Sequence, residues 1–143
     1  MAEFEDAVRA WKEKALRTQT LILKTALGYL VDDIVKLIAE GGRMRFDTGF
    51  LRSSLIAQLE VPITQVTYKP KDIDSFSLNM GEVKLVINRM KIGDTIHFGF
   101  TANYARPREF GANNQAPDAF VRTHTMDWKG YQLRAAAEIN QRR

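Results

Sequence analysis

Two histidines, His97 and His124, and no cysteine are the whole supply of imidazole and thiol groups in this chain. A metal site needs several such ligands, or carboxylates, clustered in space, and the two histidines stand far apart in the sequence. His124 and Asp127 are three residues apart and would share a helical face, which is the spacing of a solvated or structural pair as readily as of an acid–base pair. Ser53 and Ser54 are adjacent, but a nucleophilic serine needs an activating base, and no Gly-x-Ser-x-Gly turn surrounds them. Gly41-Gly42 reads as a helix stop rather than a phosphate-binding loop, because neither a Walker nor a Gly-x-Gly-x-x-Gly pattern is present. Phe98 and Phe100 would lie on one face of a strand, where aromatic rings can stack on bases. Ile96 on the same face makes a buried position the stronger reading. These residues lead us to expect no catalytic group, no cofactor and no metal.

The rest of the composition agrees with a packed scaffold. The chain has 143 residues, 45% of them apolar, which suits a single domain with its own core. Its formal net charge is +4. The basic residues are spread out, and the tightest groups are Arg43 with Arg45, Arg106 with Arg108, and Arg142 with Arg143. Such a balance describes a solvated surface better than a nucleic-acid groove, for which a clustered basic face is the mark. The acidic, amphipathic start of the chain is unlike a secretory signal. No apolar run approaches the ~20 residues that cross a bilayer. The expectation is a soluble protein without a membrane partner, made in the cytoplasm of its host.

The elements that would position these residues follow from periodicity. Phe4, Val8, Trp11, Ala15, Thr18, Ile22, Thr25 and Tyr29 recur at steps of three and four, and Leu30, Ile34, Leu37 and Ile38 extend the stripe. The spacing predicts one helix over residues 3–40, with Gly41-Gly42 ending it. At 1.5 Å per residue it would be about 57 Å long, against a diameter of roughly 37 Å for a compact domain of this size. Either the helix kinks, near residues 18–20 or at Gly28, or it projects and neighbouring chains cover its stripe. Asp47 or Thr48 would cap a short turn through Leu51. Leu55, Ala57, Leu59 and Val61 alternate as in a strand, with Pro62 at an edge or bulge. Val83, Leu85 and Ile87, then Ile96, Phe98 and Phe100, alternate in the same way and predict an antiparallel hairpin. Residues 69–82 read as a long flap in which Phe76 and Leu78 are free to touch a partner. A short piece over 104–111 precedes a last helix that begins near Pro117 and Asp118 and presents Phe120, His124, Trp128, Tyr131 and Ala135 on one face. The expected fold is α+β: helix 1–41, an antiparallel sheet of about three to four strands over 42–103 with its flap over 69–82, and a short turn and closing helix over 104–143, the helix packed on that sheet.

Two segments resemble a known family. The stretch Thr48-Gly49-Phe50-Leu51-Arg52-Ser53-Ser54-Leu55 resembles the Thr-Gly-x-Leu-Arg-x-Ser-hydrophobic motif of tail-completion (neck, head–tail joining) proteins of long-tailed bacteriophages. The second segment is Tyr104-Ala105-Arg106-Pro107-Arg108-Glu109-Phe110-Gly111, followed by Pro117, Phe120, Val121 and Arg122. It is similar to the family's Tyr-Ala-x-x-x-Glu-Phe-Gly, variable loop and Pro-x-x-Phe-hydrophobic-Arg. The order of elements also agrees, although residues 61–81 look longer than the family's hairpin link. The resemblance implies a homo-oligomeric ring, commonly six-fold, at the head–tail junction of the virion. Its partners would be a head-closure or connector protein and a tail tube or tail-terminator protein, with phage DNA passing through the lumen without sequence-specific binding. A tail-terminator ring and a basic DNA-packaging accessory protein are the alternatives. Within the motifs, Gly49, Leu51, Phe110 and Phe120 read as fold determinants. Arg52, Arg106, Arg108 and Glu109 read as polar groups facing a partner or solvent, with Arg52 and Glu109 a candidate ion pair.

Overall fold

The computed structural model describes residues 1–142. Its first element, α1 (Ala2–Ile34), runs for 33 residues without a break, about 50 Å at helical rise. It passes straight through residues 18–20 and Gly28, so of the two expected escapes the helix projects rather than kinks. Glu3 and Glu5 stand in its first turn, where the helix dipole favours negative charge. The helix stops six residues earlier than periodicity predicts. Leu37 leaves helical geometry (ψ 156°) and pairs with Met44 in a parallel bridge, closing a loop through the 3-10 turn Ile38–Glu40 and Gly41. The reason is packing: Met44 is fully buried in the core, and the chain must turn back at once to bring it there, leaving Ile38 exposed.

The buried half of α1 is the spine of the fold. Ala26, Leu30 and Ile34 face one apolar cluster, with Met44, Phe50, Leu51, Phe120, Tyr131 and Ala135. Leu27, Val31 and Val35 face another, with Leu55, Val83, Ile87 and Met90. Two parallel rows at steps of four, one residue out of phase, thus serve two sides at once, and each buried aliphatic side chain contributes about 1.5–3 kcal/mol.

A short helix α2 (Phe50–Ser53) leads into β1 (Leu55–Leu59), which pairs antiparallel with β2 (Ile96–Phe100) in the register Leu55 opposite Phe100 and Leu59 opposite Ile96. The sheet has these two strands alone among the described residues, fewer than the three to four expected. The missing strand is a helix: residues 83–87 belong to α3 (Met80–Arg89). Val83 and Ile87, four apart, are buried, whereas Leu85 between them is exposed. A two-residue and a four-residue period coincide over so short a stretch. The Asn79 side chain accepts a hydrogen bond from the Glu82 amide and caps this helix.

The chain then forms α4 (Ala105–Phe110) and, after an irregular stretch, α5 (Arg122–Thr125) and α6 (Trp128–Gln141). The closing helix therefore starts later than Pro117, and a break at Met126 and Asp127 divides it. Its main support is α1, not the sheet. Phe120 precedes it and meets the sheet directly, edge to face on Phe100 at 5.2 Å between centroids.

Candidate assembly surfaces

The two motifs, more than fifty residues apart in the chain, meet in space. Thr48, Gly49 and Leu51 from the first, and Tyr104, Pro107 and Arg108 from the second, line one cleft of about 430 Å³ together with Arg45 and Lys69. The join is apolar underneath: the Phe50 ring lies 6.0 Å from that of Tyr104. Burial pushes the Tyr104 hydroxyl above its usual range, with the Leu51 backbone pulling the other way. Gly49 is required at the turn, because its φ is +85° and a Cβ there would lie 2.6 Å from the Phe76 carbonyl oxygen.

Several motif residues sit where the sequence did not place them. Glu109 is buried, and its carboxylate accepts from the amides of Val121 and Arg122 at 2.7 and 3.0 Å and from Arg122 Nε at 3.2 Å. It faces neither solvent nor Arg52, whose Nε donates to the Val35 carbonyl at 3.0 Å. The physical reason is the return of the chain. Residues 111–121 loop back over α4 and bring two amides and a guanidinium that need an acceptor. Phe110, expected inside, is half exposed, and its ring carries Arg106 at 5.3 Å and Arg122 at 4.8 Å. Arg106 is exposed, as expected. Gly111 takes φ +85° at the end of α4, as the turn in the motif demands.

The flap is irregular but anchored. Phe76 packs edge to face on Phe50 at 5.0 Å, and its amide donates to the Thr48 carbonyl. Leu78 packs against the second core cluster. These two side chains are therefore largely engaged within their own chain and are not the free contacts the flap reading assumed.

Two polar clusters were not foreseen. The Tyr131 hydroxyl donates to Asp33 at 2.7 Å and lies 3.2 Å from His124 Nδ1, tying α6 and α5 to α1. Burial, then the Asp33 carboxylate, push the Tyr131 phenol well above its usual range, so it stays a donor. His124 thus finds Tyr131 rather than Asp127. Asp118, also buried, accepts from Arg45 Nε at 2.8 Å while its carbonyl accepts from Arg43, so one of the basic groups of the sequence is spent inside the chain. The hydroxyls of Ser53 and Ser54 donate back to the carbonyls of Phe50 and Leu51.

Among the exposed apolar surfaces of the described residues, two bear on assembly. One is the free stretch of α1, where every residue from Met1 to Lys14 is exposed. Phe4, Val8 and Trp11 share one face there, 69%, 47% and 71% exposed. The other is an apolar groove of about 270 Å³ between β2 and the segment around Phe120, floored by Val31 and Ile34 of α1 and rimmed by Arg106, Phe110 and Arg122. No helix of the described residues is long and apolar enough to cross a membrane. Comparison of the chain with family models, with curated proteins and with solved structures gave no match.

Proposed function

We propose that this chain is a structural subunit of a tailed phage, of the tail-completion (neck) type. It forms a ring around the DNA channel between a head-closure or connector protein and the tail tube. The observation that carries the reading is the uncovered stripe of α1: three large apolar side chains held in register on a rigid helix that its own domain does not reach. Exposed apolar patches rimmed by polar residues mark interaction surfaces, and a stripe on an unbroken helix needs a partner that runs alongside it.

Two further features support it. The paired motifs converge on one cleft and there act as fold determinants, as expected of a family whose common property is a shape. The buried polar groups Glu109, Asp118 and Tyr131 are engaged with backbone amides, guanidinium groups or a carboxylate of this chain, which makes them structural ties. The positive charge is modest and dispersed, which suits a lumen that lets DNA slide past; strong phosphate contacts would hold it.

The test is biological. Mass spectrometry of purified particles should find the chain, and phage lacking it should accumulate filled heads beside unattached tails. Joined, infectious virions assembled without the chain would defeat the proposal.

A further inference from the structure

We infer that the free stretch of α1 is an arm that lies in the apolar groove of a second copy of this chain, so that copies join head to tail. The pairing rests on the ring reading above and names its interface.

The groove is longer than its deepest part. From the pocket over Ile34, Phe100 and Phe110 it continues across Phe98 into a second dent of about 240 Å³ formed by Leu27, Ile96 and Trp128. Each part exceeds the ~150 Å³ that holds a benzene ring in a protein interior. Its floor advances seven residues along α1, from Leu27 to Ile34. The two aromatic rings of the arm, Phe4 and Trp11, are also seven residues apart. Both intervals are about 10 Å of helix, so a helix laid along the groove sets one ring in each depression.

Charge fixes the direction. The deep end of the groove is rimmed by Arg106 and Arg122. On the arm, Glu3 and Glu5 flank Phe4, whereas Arg9 precedes Trp11 and Lys12 and Lys14 follow it, with Glu13 the one acidic residue among them. With Phe4 in the deep end, carboxylates meet guanidinium groups. The opposite orientation would bring two lysines against two arginines. The arm then runs antiparallel to the helix that floors the groove.

The contact must be between chains. Phe4 and Val31 stand on the same unbroken helix, 27 residues or about 40 Å apart, so no chain can fill its own groove. Arm and groove are different patches, and a head-to-tail contact of that kind closes into a ring or runs on as a filament. Phe and Trp bury at most about 150–250 Å² each, so one arm falls short of the ~800 Å² per partner of a standard interface. A single contact is weak, and closure makes the last contact intramolecular. Such a subunit stays monomeric until a template or a high concentration gathers it.

The natural chain has no cysteine, which makes engineered cross-links unambiguous. Full-length chains carrying Glu3→Cys and Arg106→Cys, both surface positions, are mixed at high concentration under mild oxidation. The disulfide-linked heterodimer should exceed a control pair, Glu3→Cys with Lys71→Cys, by at least tenfold. The doubly substituted chain should give a ladder that ends at a closed ring. Adding Trp11→Ala, which leaves the melting temperature unchanged because the residue is 71% exposed in the monomer and in no core cluster, should cut cross-linking about tenfold. Heterodimer yields equal to the control would overturn the pairing. So would a preference for Glu3→Cys homodimers, since that means arm pairs with arm. The presence of the chain in virions is read separately, so the pairing can fail while the neck reading stands, and the reverse.

Discussion

Replacing Glu109 by alanine distinguishes a residue that holds the fold from one reserved for a partner. Its carboxylate is buried and accepts three hydrogen bonds, from Val121 N, Arg122 N and Arg122 Nε. Removing it strands two amides at the entry to α5 and takes the carboxylate from the Arg122 guanidinium, which keeps the bond from Nη2 to the carbonyl of residue 109. An unsatisfied buried donor costs about 1–3 kcal/mol, and breaking a buried ion pair by deleting one partner costs about 3–5 kcal/mol. Arg122 is nearly half exposed (side chain 46%) and regains water, so the lower part of that range applies, about 3–4 kcal/mol. For a domain of this size 1 kcal/mol shifts the melting temperature by about 3–4 °C, hence a fall of roughly 10–15 °C. Glu109→Gln, which keeps one acceptor oxygen, should recover about half of the loss. Urea denaturation followed by circular dichroism, at a concentration where the chain is monomeric, measures both. A Glu109→Ala monomer within 1 kcal/mol of the natural chain would refute the buried-acceptor argument and return Glu109 to the surface role its polarity suggests.

Other expected outcomes follow from the same geometry. Gly49→Ala forces a Cβ to 2.6 Å from the Phe76 carbonyl at φ +85°; it should destabilise the chain by about 2 kcal/mol or more, read as a lower urea midpoint. Tyr131→Phe removes the hydrogen bond to Asp33 and should cost about 1.5–3 kcal/mol near neutral pH. The phenol is held above its ordinary value of 10 in the fold. Its stabilisation is therefore complete below pH 10 and lost as pH rises past 10, so melting temperatures measured across that range should fall less steeply for Tyr131→Phe than for the natural chain. Phe76→Ala should lower stability by about 2–3 kcal/mol through lost packing on Phe50, and deleting residues 70–80 should unfold the chain, because the segment carries that contact, Leu78 and the α3 cap Asn79 itself. Gel-shift titration should find negligible duplex DNA affinity at physiological salt; tight binding with a steep salt slope would favour a packaging accessory instead.

The long helix, both strands and the core roles of Leu51 and Phe120 were readable because each depends on a pattern repeated over many residues or on a side chain too large to leave outside. α3 was misread for want of length: Val83 and Ile87 satisfy both periods, Leu85 fits the strand period alone and is exposed, and the deciding signal was Asn79 three residues ahead of Glu82, a helix-start pattern. Glu109 and Phe110 exchanged expected places because a six-residue helix has no stripe to orient it. Which side faces inward is set by the returning loop, a long-range fact that polarity does not encode. The Asp33–Tyr131–His124 tie was hidden for the same reason, since its members lie on three helices whose packing no local pattern announces. The mismatch between α1 and the domain that carries it was legible as arithmetic, but arithmetic left a kink and a projection equally open, and only the unbroken helix with its exposed first half decides for projection.

Electron cryo-microscopy of the neck of purified virions tests the central claim most directly. The account predicts a closed ring of this subunit between connector and tail tube, with Phe4 and Trp11 of each copy seated against Phe110 and Trp128 of the next. A neck map with no density for this chain, or with its α1 arms pointing into solvent, would contradict it.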